Sequence, residues 1–166
     1  MMYIRQAREQ DLERLLEIYQ QARVYMEQEG NPNQWGKTWP PTSLIQQDIE
    51  EQKSYVCVNE EGVVIGTFFF DQGEEIDPTY REIFEGQWLA GGSYGVIHRL
   101  AGDGSEKGIG RFCIQWALEQ CGHLRIDTHE DNKIMQKILK DLGFVHCGTI
   151  YVADHSPRLA YEKMIG

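Results

Sequence analysis

Near the N-terminus the apolar positions settle into one period. Residues 3–7 read as a short strand, after which Leu12, Leu15, Leu16, Tyr19, Ala22 and Met26 recur at helical spacing until Gly30 ends the pattern. Residues 31–41 mix turn formers with Trp35 and Trp39 and read as a loop bearing aromatic side chains, and a second helix is predicted over about residues 42–51. β-branched and aromatic runs at 54–58 and 63–70, separated by Asn59-Glu60-Glu61-Gly62, predict an antiparallel hairpin. Residues 71–93, with Asp77-Pro78, Phe84, Trp88 and Ala90-Gly91-Gly92-Ser93, read as an excursion before the next strand.

The second half is more regular. A strand at 94–101 leads into a glycine-rich loop, a helix over about 108–120, a strand at 124–128, a helix over about 132–142 and closing strands at 144–152 and 158–164. No internal repeat, low-complexity tract or linker interrupts this order, and 166 residues suit one domain spanning 1–166. The predicted fold class is α+β, with a mostly antiparallel sheet and one strand-loop-helix-strand unit.

Composition narrows the partners. Apolar residues at 41% and charged residues at 25% describe an ordinary globular chain. A formal charge of -10 repels polyanions, so no nucleic-acid partner is expected; the acidic surface reads either as a solubility device or as steering for a cationic amine. Cys57, Cys113, Cys121 and Cys147 form no CxxC pair, and the apolar company of Cys113 and Cys121 reads as core thiols in a reducing compartment. With no apolar leader and no membrane-length apolar run, a cytoplasmic location without a membrane partner is expected.

The candidate chemistry centres on Gly102-Asp103-Gly104-Ser105-Glu106-Lys107-Gly108-Ile109-Gly110, between an apolar strand and a helix. Small residues let the backbone approach a ligand, and the unpaired amides and positive dipole end of a helix attract an anion, with Lys107 and Arg111 as flanking cations. A plain tight turn is the bland alternative. Gly102, Gly104 and Gly108, followed by Asp127 at the end of the next strand, also imitate a dinucleotide-binding unit, but only about 40 residues follow Asp127, too few for the further parallel strands such a fold needs.

Over almost its whole length the chain resembles the GNAT superfamily of N-acetyltransferases. Ser105-Glu106-Lys107-Gly108-Ile109-Gly110 is similar to the family's Arg/Gln-x-x-Gly-x-Gly/Ala signature, and His98-Arg99-Leu100-Ala101 to the strand end preceding it. Asp131-Asn132 opening a helix that ends in Leu142-Gly143-Phe144, and Leu159-Ala160-Tyr161-Glu162-Lys163, resemble the later motifs. The resemblance implies a GNAT-like mixed sheet splayed between its fourth and fifth strands, with helices on both faces. It implies acetyl-CoA as co-substrate, held by Leu100, Ala101, Ser105, Lys107, Gly108, Ile109, Gly110, Arg111 and Asn132. Asn132 is equally the N-cap of its helix.

Two departures stand out: Ser105 replaces the usual Arg/Gln, and Leu139 occupies the position where many members carry a tyrosine acid. His98 is the candidate catalytic base, because histidine ordinarily titrates nearest neutrality and its strand leads into the implied gap; a structural histidine is the alternative. Trp35, Trp39 and Tyr94 are candidate acceptor-binding residues. Cys147 and Tyr151 are weaker candidates for the missing proton donor, His129 reads as part of a capping loop, and no metal site is expected. The function implied is N-acetyl transfer to a small-molecule or peptide amine by direct attack. A non-catalytic CoA-binding module and an NAD(P)-dependent oxidoreductase are the alternatives, and a homodimer is left open.

Overall fold

The computed structural model describes residues 1–165. Its elements are β1 (Tyr3–Gln6), α1 (Leu12–Gln28), α2 (Thr42–Glu50), β2 (Ser54–Val58), β3 (Val64–Gly73), β4 (Tyr94–Gly102), α3 (Ile109–Cys121), β5 (His123–Thr128), α4 (Lys133–Asp141), β6 (Val145–Tyr151) and β7 (Pro157–Met164). The strands form one seven-stranded sheet in the order β1-β2-β3-β4-β5-β7-β6. Among the described residues β4 and β5 are the one parallel pair; every other neighbour is antiparallel. A dinucleotide fold needs a run of parallel strands, so the GxGxxxG imitation is not a Rossmann unit.

Alternation along β2 assigns the faces. Val56 and Val58 pack with α1 and α2, whereas Cys57 packs with α3 and α4, so helices cover both faces. On α1 the buried stripe is Leu15, Ile18, Tyr19 and Ala22. Ile18 belongs to it through the i, i+3, i+4, i+7 spacing from Leu15, and Leu16, expected inside, is only half-buried on the flank.

The stretch after β3 does not leave the sheet's surface. A single 3-10 turn at Pro78–Tyr80 drives Tyr80 into a cluster with Tyr94, Val96, Ile150 and Ala160, and Phe84 makes a β-bridge to Thr149. The excursion is fastened over β5, β7 and β6 and carries Asp77 to the sheet. At its far end Arg125 lies 4.2 Å beneath the Trp88 ring, and its guanidinium donates to the Ala90 carbonyl. Among the described residues no helix is long and apolar enough to cross a membrane.

Candidate active site

The parallel ladder between β4 and β5 is short. Gly95 faces Leu124 and Val96 faces Arg125, and the pairing stops there, while β4 continues along β3 to Gly102 and β5 along β7 to Thr128. From Ile97 onward β4 therefore presents backbone to a gap, as the splayed sheet predicts. A bulge accompanies the divergence: between Thr67 and Phe69 the register gains a residue on β4, where Arg99 takes φ 53. Such a bulge bends its strand. It is pinned on both sides, because the Tyr19 hydroxyl donates to the Arg99 carbonyl at 2.8 Å and the Arg99 guanidinium donates twice to Asp48 Oδ2, at 3.0 and 2.8 Å.

Two cavities flank this edge. One, of about 570 Å³, is lined by Trp35, Trp39, Asp77, Ile97, His98, Asp127, Thr128 and Arg158. The other, of about 510 Å³, is lined by Asn31, Ala101, Gly102, Gly104, Glu106, Ile109 and Gly110. Leu100, Asn132 and Met135 line both, so the two spaces meet at the divergence.

In the first cavity, His98 stands between two carboxylates. Its Nε2 is 2.7 Å from Asp77 Oδ2, and its Nδ1 is 3.8 Å from Asp127 Oδ2. Burial pushes the Asp77 carboxyl up, but hydrogen bonds and charge from His98, with the hydroxyl and amide of Thr79, more than offset this and hold it below the usual carboxylate value. Asp77 is thus an acceptor at neutral pH, so the neutral tautomer of His98 carries its proton on Nε2 and turns the Nδ1 lone pair to the Asp127 side. Tyr80 donates to Asp127 Oδ2 at 2.6 Å, and burial together with Asp127 raises the Tyr80 hydroxyl well above its ordinary value, so it stays a donor.

The glycine turn is set by close packing. A Cβ on Gly66 of β3 would come within 2.7 Å of Ile109 Cγ2, so glycine there lets the first residue of α3 sit directly on the sheet. Gly108, the residue before α3, has φ 80, the left-handed region that glycine enters freely, and nothing lies within 4 Å of the side-chain direction it leaves open. The brace that Ser105 is too short to provide comes from Asp103. Its Oδ1 accepts the Ser105 amide at 2.8 Å, and its Oδ2 accepts from Arg14 at 2.7 Å. Ser105, Lys107 and Arg111 are exposed beside the turn, with Arg111 loosely paired to Asp141 at 3.6 Å.

Asn132 caps α4, its side chain accepting the Met135 amide at 3.0 Å, and it also donates to Gln34 Oε1 at 3.0 Å, tying the helix to the aromatic loop. Trp35 and Trp39 both line the first cavity, but Tyr94 does not. It sits where β4 is still paired with β5, 5% exposed, stacked over Arg125, and its hydroxyl supports the Asp77 amide from behind. Leu139 is fully buried core, and neither Cys147 nor Tyr151 lines either cavity. His129 Nδ1 accepts the Asp131 amide, a capping role. The residues not foreseen are Asp77, Tyr80 and Arg158, with Asp127 foreseen only in the dinucleotide imitation. The Asp77-Pro78-Thr79 string does signal a side-chain-capped turn, which is what forms.

A sheet opened between two parallel strands, with a glycine turn and helix start on one side and a histidine between carboxylates on the other, defines an acyl-thioester transferase scaffold. A profile of the acetyltransferase (GNAT) domain matches residues 2–145. The structure is similar to a GNAT-family acetyltransferase from Streptococcus agalactiae, with 28% identity, a TM-score of 0.89 and coverage of 99% of this chain and 96% of that one. A phosphinothricin acetyltransferase from Sinorhizobium meliloti, solved with AcCoA, gives 15% identity, a TM-score of 0.67 and coverage of 99% and 89%. A ribosomal-protein-alanine N-acetyltransferase from Brucella melitensis gives 20%, 0.66 and coverage of 98% and 99%; these last two show the fold alone. A search among curated proteins gives no significant match. The chain belongs to the GNAT acetyltransferase family.

Proposed function

We propose that the protein is an acetyl-CoA-dependent N-acetyltransferase that passes its acetyl group to a primary amine by direct attack in a ternary complex. What carries this reading is the unpaired stretch of β4 joining His98, between Asp77 and Asp127, to the glycine turn at the head of α3. The residues fit acetyl-CoA. The first-turn amides of α3 with Lys107 and Arg111 suit the diphosphate, and the open edge at Leu100 and Ala101 suits the pantetheine arm. Asn31 Oδ1, buried and without a hydrogen-bond partner among the described residues, lines the same groove and offers an acceptor.

Acetyl-CoA supplies a carbonyl already activated as a thioester. His98 Nδ1 takes the amine's proton as its nitrogen bonds the carbonyl carbon, and Asp77 orients the ring and offsets the positive charge it gains. The carbon–sulfur bond breaks, and with leucine at 139 the departing thiolate takes its proton from water. Incubation with acetyl-CoA and a broad amine panel is expected to release free CoA thiol in step with an acetylated amine detected by mass. CoA binding with no turnover on any amine would instead favour a CoA-binding module.

The phosphate end is checked independently. Gly108→Asp and Gly108→Ala both impose a left-handed side-chain residue, costing about 1–2 kcal/mol of stability, with aspartate the better tolerated. The aspartate alone sets a carboxylate against the diphosphate. Calorimetry is expected to show CoA affinity roughly 10–100-fold weaker in Gly108→Asp than in Gly108→Ala. Equal affinities would mean that the phosphates bind elsewhere.

A further inference from the structure

We infer that the acceptor is a small amino-carboxylate, a molecule carrying its own carboxylate beside the reacting amine, and that Arg158 receives that carboxylate. The inference rests on the acyl-transfer reading above and names its substrate class.

Arg158 is 7% exposed and lines the His98 cavity. Its guanidinium donates from Nη1 to Ser156 Oγ at 3.1 Å and to the Pro157 carbonyl at 2.8 Å, and from Nη2 to the Gln34 carbonyl at 3.2 Å. All three acceptors are neutral, and among the described residues no carboxylate lies within ion-pair distance. The other two enclosed arginines near the gap are both paired, Arg99 with Asp48 and Arg125 with Glu162, each at 2.8 Å. Asp154, which also lines the cavity, accepts from the Ser156 hydroxyl and acts on Arg158 only at a distance, its side chain exposed to water. Enclosing a cation without a contacting counter-charge is costly, and the cost is relieved when an anion arrives. Three of the five guanidinium N–H groups are used, which leaves one on Nε and one on Nη2. Those adjoining nitrogens form the edge that grips a carboxylate in two parallel hydrogen bonds.

The register places this edge within reach of the reacting end. Asp127 of β5 faces Ala160 of β7, and Arg158 lies two residues along β7 on the same face. Diagonal neighbours of this kind have Cβ atoms roughly 7–8 Å apart, and Asp127 Oδ2 is 3.8 Å from His98 Nδ1. An amine at His98 and Asp127 and a carboxylate at Arg158 therefore fit one small molecule. Thr128 Oγ1, wholly buried, lacks a partner among the described residues and lines the same cavity, adding a hydroxyl. A polyamine would bring a second ammonium against Arg158. The net charge of -10 draws cations at a distance, but that field is screened beyond about 10 Å, whereas Arg158 acts in contact.

The test uses the wild-type protein with acetyl-CoA and a series of α- and ω-amino acids, each beside its own carboxamide. The amide keeps the amine and removes the negative charge. It also makes the amine of an α-amino acid easier to deprotonate, which works against the expected preference. For the best acceptors kcat/KM is expected to be roughly 10–100-fold higher for the acid than for the amide. Arg158→Gln is expected to bring that ratio close to one, and Arg158→Lys to restore part of it. Should Arg158→Gln fail to fold, the wild-type ratio decides. Amides acetylated as well as acids, or a ratio unchanged in Arg158→Gln, would overturn the assignment while leaving amine acetylation standing. No acetylation of any amine or amino acid would remove the transfer reading itself.

Discussion

His98→Ala is expected to lower kcat by about 10²–10⁴-fold while leaving affinity for acetyl-CoA unchanged, because the imidazole serves proton transfer and lies in the cavity away from the glycine turn. The base works only when unprotonated, so the wild-type rate is expected to fall as the pH drops, and the alanine variant is expected to lose that acid limb. The ring also packs against Phe69 and Tyr80, with centroids 5.7 and 5.9 Å away, so alanine removes some packing as well. His98→Gln separates the two effects: an amide can keep a hydrogen bond to Asp77 but cannot accept the amine's proton, and its kcat is expected to fall as far. The measurement is kcat across pH, with CoA affinity by calorimetry. A glutamine variant that keeps both rate and acid limb would show His98 to be a structural histidine.

The parts of this site that depend on neighbours in sequence were legible. β-branched and aromatic runs announce β2 and β3, and the glycine turn with its helix needs only residues 102–111. What escaped depends on pairing across the fold. Asp77 meets His98 from a stretch with no apolar periodicity, and the partnership exists only because Tyr80 is buried and pulls the turn onto the sheet. The bulge at Arg99 has no local signal, since arginine has no preference for the left-handed region; it is held there by Tyr19 and Asp48, both distant in the chain. Tyr94 stays out of the cavity for a related reason. It shares a strand with His98, but the strands have not yet diverged at its level, so there is no gap for it to face.

Replacing Glu162 with alanine is expected to cost about 3–5 kcal/mol, because it strands charges that the fold has enclosed. The carboxylate is wholly buried and accepts from Arg125 Nε at 2.8 Å, from His123 Nε2 and from the Leu89 amide. Burial pushes this carboxyl up, but the hydrogen bonds from His123, Arg125 and Leu89 and the charge of Arg125 prevail and hold it below its ordinary value of 4.5. A carboxyl depressed on folding stabilises fully above its unfolded value and loses that contribution as pH falls through the folded value. Wild-type stability in urea is therefore expected to decline below about pH 4.5, and Glu162→Gln to flatten that decline while lowering stability at neutral pH. Leu89 and Arg125 fasten the same excursion that carries Asp77, so the variants are also expected to lose kcat at temperatures below their global unfolding, as the clamp on His98 loosens first. Variants that kept full activity up to the melting transition would show that the excursion holds Asp77 in place without this buried carboxylate.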